Sequence, residues 1–340
     1  MKMKTIVFAY SRGGCETAAR LLPLLPADTA LYCPARMASP PFQAPEKPDE
    51  SFYGACFAAA DALIFVGAAG IAVRMIAPHL RHKSEDCAVL VIDERGRFVI
   101  PILSGHIGGA NALAAELADA LGATAVITTA TDVNGRFSVD AWAARQGYAI
   151  SDMELAKRVS AAILEGDVAF QSDFPVKNDI LPAGLAPGGS GALGVAVTVE
   201  IKSPFARTLR LIPRAVRLGV GCRRGADSAA IRALAEEALS AYGIDKRAVK
   251  EVATIDLKKD EPGLLSFCRV EGWPLRFYSA EELRAAEGEF TASAFVESVT
   301  GVDNVCERAA LREGGRLLIP KQAKNGVTVA AAIETVELSF

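Results

Sequence analysis

Short apolar runs that end in a glycine turn and give way to apolar residues at helical spacing recur along this chain, and that pattern restricts its fold more than any other feature. "TIVFAY" passes through "SRGG" into "CETAARLL", and "ALIFV" passes through "GAAG" into "IAVRMIA". Short apolar runs predict strands and a 3.6-residue spacing predicts helices. Their alternation predicts mostly parallel sheets with helices on both faces, an α/β fold. "AVLVID" and "FVIPIL", joined by Asp93-Glu94-Arg95-Gly96, predict a hairpin. The second run leads into "SGHIGGAN" and a helix with Ala110, Leu113, Ala114, Leu117 and Leu121 on one face. "AVITT", "ATDVNGR" and a helix opened by Ser138 follow.

A chain of 340 residues exceeds what one core usually supports. The texture changes over residues 150–215, where "LPAGLAPGGSGALGVAVTVEI" is rich in glycine and proline, and "LIPRAVRLGVG" reads as entry to a fresh unit. There "VRLGVG", the turn "CRRGAD" and "AAIRALAEEALSAYG" restart the alternation, and Ser279-Ala280-Glu281-Glu282 reads as a capping box. The expected organisation is two α/β domains, residues 1–145 and 216–340, flanking a smaller middle segment, residues 146–215.

Charge and composition exclude several function classes. Lys and Arg total 37 against 40 Asp and Glu, so no basic face is expected for nucleic acid. "ALIFVGAAGIAV" is too short to span a bilayer, and "MKMKTIVFAY" reads as a first strand rather than a signal peptide, so no membrane partner is expected. The seven cysteines never form a C-x-x-C pair, which fits reduced thiols in a cytoplasm better than a disulfide framework or a zinc site.

In an open parallel sheet, ligands collect outside the carboxyl ends of the strands. If their strands run parallel, Gly67 to Gly70, Ser104 to Asn111 and Thr128 to Gly135 are therefore expected on one edge, as one site. In the second stretch, Gly105, Gly108 and Gly109 permit close backbone approach. His106 suits a general base, and the amides of Gly108, Gly109 and Ala110 suit an oxyanion. A structural turn whose histidine caps a backbone group accounts for the same residues equally well. Thr129, Asp132 and Asn134 likewise fit either turn chemistry or a site. His79, His82, Glu85 and Asp86 have metal-ligand spacing, but Arg81 and Lys83 oppose a cation, and no metal site is expected. Arg74, Arg81 and Lys83 could instead meet an acidic ligand. Arg223 and Arg224 fit a second anion-binding turn or surface ion pairs, and the spacing of Gly219, Gly221 and Gly225 is wrong for a dinucleotide fingerprint. Lys321 and Lys324 add positive charge after "LLIP".

Taken together, "GAAGIAVRMIAPHL", "DERGRFVIPILSGHIGGANALA", "VITTATDVNGRFSVD", "GVGCRRG", "ASAFVESVTGVDNVCERAAL" and "LLIPKQAKNGVTVAAA" resemble the CbiG family of cobalamin biosynthesis, the cobalt-precorrin-5A hydrolases. The resemblance implies hydrolysis of a δ-lactone on a cobalt-loaded tetrapyrrole substrate, with acetaldehyde released. It also implies that no cofactor of the protein's own is needed, because cobalt arrives in the substrate. On this reading His106, oriented by Asp132, activates water, and Ser104 is an alternative nucleophile. Gly67, Gly70, Arg74, Gly105, Gly108, Gly109, Asn111, Thr129, Asn134, Arg223, Arg224 and Lys321 surround the carboxylate-rich substrate. Neighbouring corrin-pathway methyltransferases are the expected protein partners. Two readings compete: a non-catalytic tetrapyrrole carrier that hands intermediates to them, and a nucleotide or sugar-phosphate enzyme that uses the same glycine turns for phosphate, against which the poor dinucleotide fingerprint counts.

Overall fold

A computed structural model describes residues 3–82, 85–106, 108–189 and 191–340. Two compact units divide it, Met1–Ala141 and Trp142–Phe340. The fold is α/β with three mostly parallel sheets. Among the described residues, no helix is long and apolar enough to cross a membrane.

The first unit runs β1 (Thr5–Ala9), α1 (Arg12–Leu21), β2 (Ala30–Tyr32), α2 (Glu50–Ala59), β3 (Ala62–Val66), α3 (Ala69–Ile76), β4 (Ala88–Ile92), β5 (Phe98–Leu103), α4 (Ala110–Leu121), β6 (Thr124–Ala125), α5 (Ala130–Val133) and α6 (Val139–Gln146). Its six-stranded sheet has the order β2-β1-β3-β4-β5-β6. Strand residues alternate between two cores. Val7, Ile64, Leu90 and Ile92 pack with α1 and α4 through Leu21, Leu113, Ala114 and Leu117. Phe8, Leu63, Phe65, Val89 and Val91 pack on the other face with α2 and α3 through Tyr53, Phe57, Ala72 and Ile76. The predicted apolar face of α4 is thus the face that it buries.

The predicted hairpin forms, and its turn has a clear cause. The Asp93 carboxylate accepts the amides of Arg95, Arg97 and Phe98, and Gly96 takes the left-handed conformation, φ 64°. β5 consequently runs antiparallel to β4, while β1, β3 and β4 are mutually parallel. Of "AVITT" only Ala125 lies in a strand, the two-residue β6, beside Phe98 and Val99 of β5. "ATDVNGR" begins with the single helical turn α5 rather than being a loop throughout.

The second unit contains β7 (Ala149–Ile150), α7 (Met153–Glu165), β8 (Val168–Ser172), β9 (Leu185–Pro187), β10 (Gly194–Val197) and β11 (Thr208–Ile212) in a sheet ordered β7-β11-β10-β8-β9. It continues with β12 (Val216–Cys222), α8 (Ser228–Ala241), β13 (Val249–Ile255), α9 (Pro262–Glu271), β14 (Leu275–Tyr278), α10 (Ala280–Arg284), α11 (Ala294–Thr300), α12 (Cys306–Leu311), β15 (Arg316–Lys324) and β16 (Val327–Ile333). These last five strands are ordered β14-β13-β12-β16-β15. The Ser279 capping box is present, with Ser279 Oγ accepting from the Glu282 amide and the Glu282 carboxylate accepting from the Ser279 amide.

The glycines of "VRLGVGC" serve packing. A Cβ on Gly219 would sit 1.7 Å from the carbonyl oxygen of Cys306, so α12 lies on β12 only because residue 219 has no side chain. Gly219→Ala is expected to destabilise the protein by about 1–3 kcal/mol through overpacking. A urea denaturation midpoint well below wild type would show this, and an unchanged midpoint would refute the close approach.

Candidate active site

The reversal of β5 separates residues that were expected on one edge. Gly67 donates its amide to Ile92 O, next to the Asp93 turn, whereas Leu103 pairs with Val89 at the opposite end of β4. Gly67, Gly70 and Arg74 therefore lie at one end of the sheet and the Ser104–Asn111 stretch at the other. At the first end Gly67 faces the Tyr10 ring, Arg74 folds back toward Gly70, and the Glu94 carboxylate lies against Gly13 at the start of α1. The single-site expectation is corrected. A strand entered through a hairpin points its carboxyl end away from those of its parallel neighbours.

At the second end the turn is built around unusual backbone. Ser104 has φ 54° and Gly109 φ 80°, so the chain folds back over the start of α4. Gly105 and Gly108 are glycines for steric reasons: a Cβ on Gly105 would lie 2.6 Å from Asn111 Oδ1, and one on Gly108 would lie 2.5 Å from Ser104 Cβ. This folding also consumes amides expected to be free. Gly109 donates to His106 O at 3.0 Å, Ala110 to Ser104 O at 3.2 Å and Asn111 to Gly105 O at 2.9 Å. Of the three amides expected to hold an oxyanion, those of Gly108, Gly109 and Ala110, the last two are thus taken by the loop's own carbonyls. Ser104 also departs from its expected role as a nucleophile, because its hydroxyl donates to Asp86 O at 2.8 Å.

Side chains from three helices and the turn converge here. His106 Nε2 lies 2.8 Å from Asp132 Oδ2 and 3.1 Å from Thr131 Oγ1, both on α5. Asn111, on the first turn of α4, donates through Nδ2 to the same Asp132 oxygen at 2.9 Å and to Thr129 Oγ1 at 2.7 Å. His106 Nδ1 lies 3.5 Å from Oδ1 of Asp140, on the first turn of α6. The Asp132 side chain is 37% exposed, against 18% for His106 and 14% for Asp140. Asp132 is therefore the solvent-facing end of a chain of charge, Asp140–His106–Asp132. Asn134 plays a local part, donating through Nδ2 to Ala130 O and closing α5.

Both imidazole nitrogens face carboxylates, an arrangement satisfied best by a doubly protonated ring. The Asp140 contact, opposed by burial and aided by Asp132, raises the His106 pKa above its ordinary 6.5. Burial pushes the Asp140 carboxyl up, but His106, Ser138 Oγ and the Ala141 amide together pull it down to about 2.

A cavity of about 540 Å³ opens beside this loop, lined in part by Phe57, His79, Leu80, Arg81, Asp86 and Gly108. His79 packs its ring against Gly54, where a Cβ would come within 2.7 Å of Cε1. Lys83 lies outside the described residues. Among those described, no group of three or more His, Cys, Asp or Glu is placed to hold a metal.

In the second unit, Arg223 and Arg224 are exposed on the turn after β12. The turn is fastened by the Gly225 amide to Glu261 Oε1 at 2.7 Å and by the Arg223 amide to Gly326 O at 2.8 Å. The Lys321 amide donates to Glu307 Oε1 at 2.7 Å. Glu307, 1% exposed, also accepts from Asn304 Nδ2 and from the amide and hydroxyl of Thr291. The "VDNVCERAAL" stretch thus contributes a buried carboxylate whose partners hold the preceding loop and β15 together.

Two family profiles match this chain, Cobalamin synthesis G N-terminal over residues 51–132 and Cobalamin synthesis G C-terminus over residues 216–332. It is 38% identical over 289 residues to the cobalt-precorrin-5A hydrolase of Salmonella typhimurium, covering 80% of this chain and 82% of that one. The chain belongs to the cobalamin synthesis G family. The cobalt-precorrin-5A hydrolase of Priestia megaterium is 35% identical over 292 residues, covering 80% of this chain and 78% of that one. A crystal structure of a cobalamin biosynthesis protein G homolog from Sulfolobus solfataricus shares 20% identity over 97% of both chains, with a TM-score of 0.41. The N-terminal match of this cobalamin synthesis G chain spans both sheet ends, taking in Gly67, Gly70 and Arg74 as well as His106 and Asp132.

The coupled charges set a pH dependence of stability. His106, with a raised pKa, contributes stability that is present below its ordinary 6.5 and lost as pH rises through its folded value. Asp140, with a depressed pKa, contributes stability that is present above its ordinary 3.8 and lost as pH falls toward about 2. The destabilisation caused by His106→Asn, measured by urea unfolding, is expected to be largest between about pH 4 and 6.5 and to shrink on either side. A pH-independent difference would contradict the pairing.

Proposed function

We propose that this chain is a cobalt-precorrin-5A hydrolase, which opens the δ-lactone of its substrate and releases acetaldehyde at the His106 end of the N-terminal sheet. Kinship with the Salmonella and Priestia hydrolases supports the substrate and the reaction class. The observation that supports the place is the Asp140–His106–Asp132 chain, which puts a proton-accepting carboxylate beside an imidazole held toward its protonated form, next to a loop whose Gly108 lines a cavity.

The raised His106 pKa redistributes the roles expected from sequence. Carboxylates beside both ring nitrogens hold His106 toward its protonated form, so it is Asp132, with Oδ2 held by His106 and Asn111, that takes a proton from water attacking the lactone carbonyl. When the tetrahedral intermediate collapses, the ring C–O bond breaks and the leaving alkoxide takes a proton from His106. The products are a carboxylate and a hydroxyl. Return of the hydroxyl proton to the pair lets the adjacent carbon–carbon bond break, with its electron pair passing to the conjugated macrocycle and the excised carbon leaving as acetaldehyde. Cobalt belongs to the substrate in this scheme, and the scheme forms no covalent intermediate with the enzyme.

Anaerobic incubation of the purified protein with the cobalt-loaded lactone is expected to release one acetaldehyde per substrate. His106→Asn and Asp132→Asn are each expected to slow that release by about 10²-fold or more while retaining substrate binding. Tight binding with no acetaldehyde from the wild-type protein would establish the carrier reading instead.

A further inference from the structure

We infer that Asp140, which neither the sequence reading nor any relative's name points to, is the positioning residue that sets the ring orientation and charge of His106. The inference rests on the reading of His106 and Asp132 as the reacting pair. Asp132 is nearer, 2.8 Å from Nε2 against 3.5 Å between Asp140 and Nδ1, but distance is not decisive here. Asp132 is 37% exposed and its field is screened by water, whereas Asp140 is 14% exposed and acts through a less polarisable surround.

Asp140 is also the better fixed of the two. Its Oδ1 accepts from Ser138 Oγ and from the Ala141 amide, each at 3.0 Å, at the start of α6. These donors favour the charged carboxylate and hold it in one rotamer. A negative charge fixed on the Nδ1 side requires a proton on Nδ1. Nε2 is then always the nitrogen turned toward Asp132 and Thr131, and the ring cannot flip without losing that contact. Among the described residues, the groups facing this ring are Asp132 and Thr131 from α5 and Asp140 from α6, with Asn111 of α4 reaching it only through Asp132. Asp140 is thus the member that never has to meet substrate, which is why it acts through His106 rather than on the reacting atoms.

The test separates charge control from mere structural support. With only three histidines in the chain, His106 is resolvable by NMR in the substrate-free protein through its ring carbon and nitrogen shifts. Asp140→Asn is expected to lower the His106 titration midpoint more than Asp132→Asn does, and to let the neutral ring populate both tautomers. In the acetaldehyde assay Asp140→Asn is expected to lower kcat by about 10²-fold with little change in KM, and to move the alkaline limb of the pH–rate profile toward acid. Asp140→Glu, which keeps the charge, is expected to restore the titration midpoint and much of the rate. A larger midpoint change in Asp132→Asn, or a His106 titration that Asp140→Asn leaves as in wild type, would overturn the inference. The NMR comparison needs no turnover, so it decides the role of Asp140 even if His106 variants prove fully active and the reaction reading fails.

Discussion

The reversal of one strand organises the N-terminal unit. Asp93 gathers the amides of Arg95, Arg97 and Phe98 and turns the chain back on itself, so β5 delivers Ser104 to the sheet end opposite Gly67. From there the left-handed residues Ser104 and Gly109 fold the loop over α4, and α4 in turn aims Asn111 at Asp132. Without the reversal, the imidazole would emerge among the parallel strand ends, and the two carboxylates from α5 and α6 would have no partner.

The loop shows how a glycine-rich turn ahead of a helix can differ from an anion cradle. In an anion cradle the first amides of the helix point at a ligand. Here they point at the carbonyls of Ser104, Gly105 and His106, and the positive end of the helix stabilises its own loop. In the proposed reaction the chemistry is carried by side chains instead. Two largely buried groups, Asp140 and the His106 imidazole, and the more exposed Asp132 form a gradient of solvation along which a proton is held, with Asn111 fixing the exposed end.

Much of the framework was legible in sequence because it depends on local rules. The face of α4, the capping box at Ser279 and the Asp93–Gly96 hairpin each follow from residues within one turn of one another. The contact between His106 and Asp132 was anticipated from two motifs that suggested one site. What was missed depends on direction or on long-range approach. A hairpin at Asp93 and a shared ligand edge for Gly67 and His106 are mutually exclusive, and only the strand direction chooses between them. Asp140 lies in the helix that Ser138 was expected to open, and nothing local shows that its carboxylate reaches an imidazole 34 residues earlier in the chain. The spacing of Gly219, Gly221 and Gly225 argued against a dinucleotide turn without showing what Gly219 is for, because its packing against Cys306 O depends on a helix nearly 90 residues away.

The proposed reaction places the chemistry at the Ser104–Asn111 end of the sheet and not at the Gly67–Arg74 end. Hydrogen exchange measured by mass spectrometry, with and without the cobalt-loaded lactone under anaerobic conditions, distinguishes the two ends directly, since they fall in different peptides. Substrate-dependent protection is expected in peptides covering 104–111 and 129–140. Protection confined to peptides covering 67–74, with 104–111 unchanged, would contradict it.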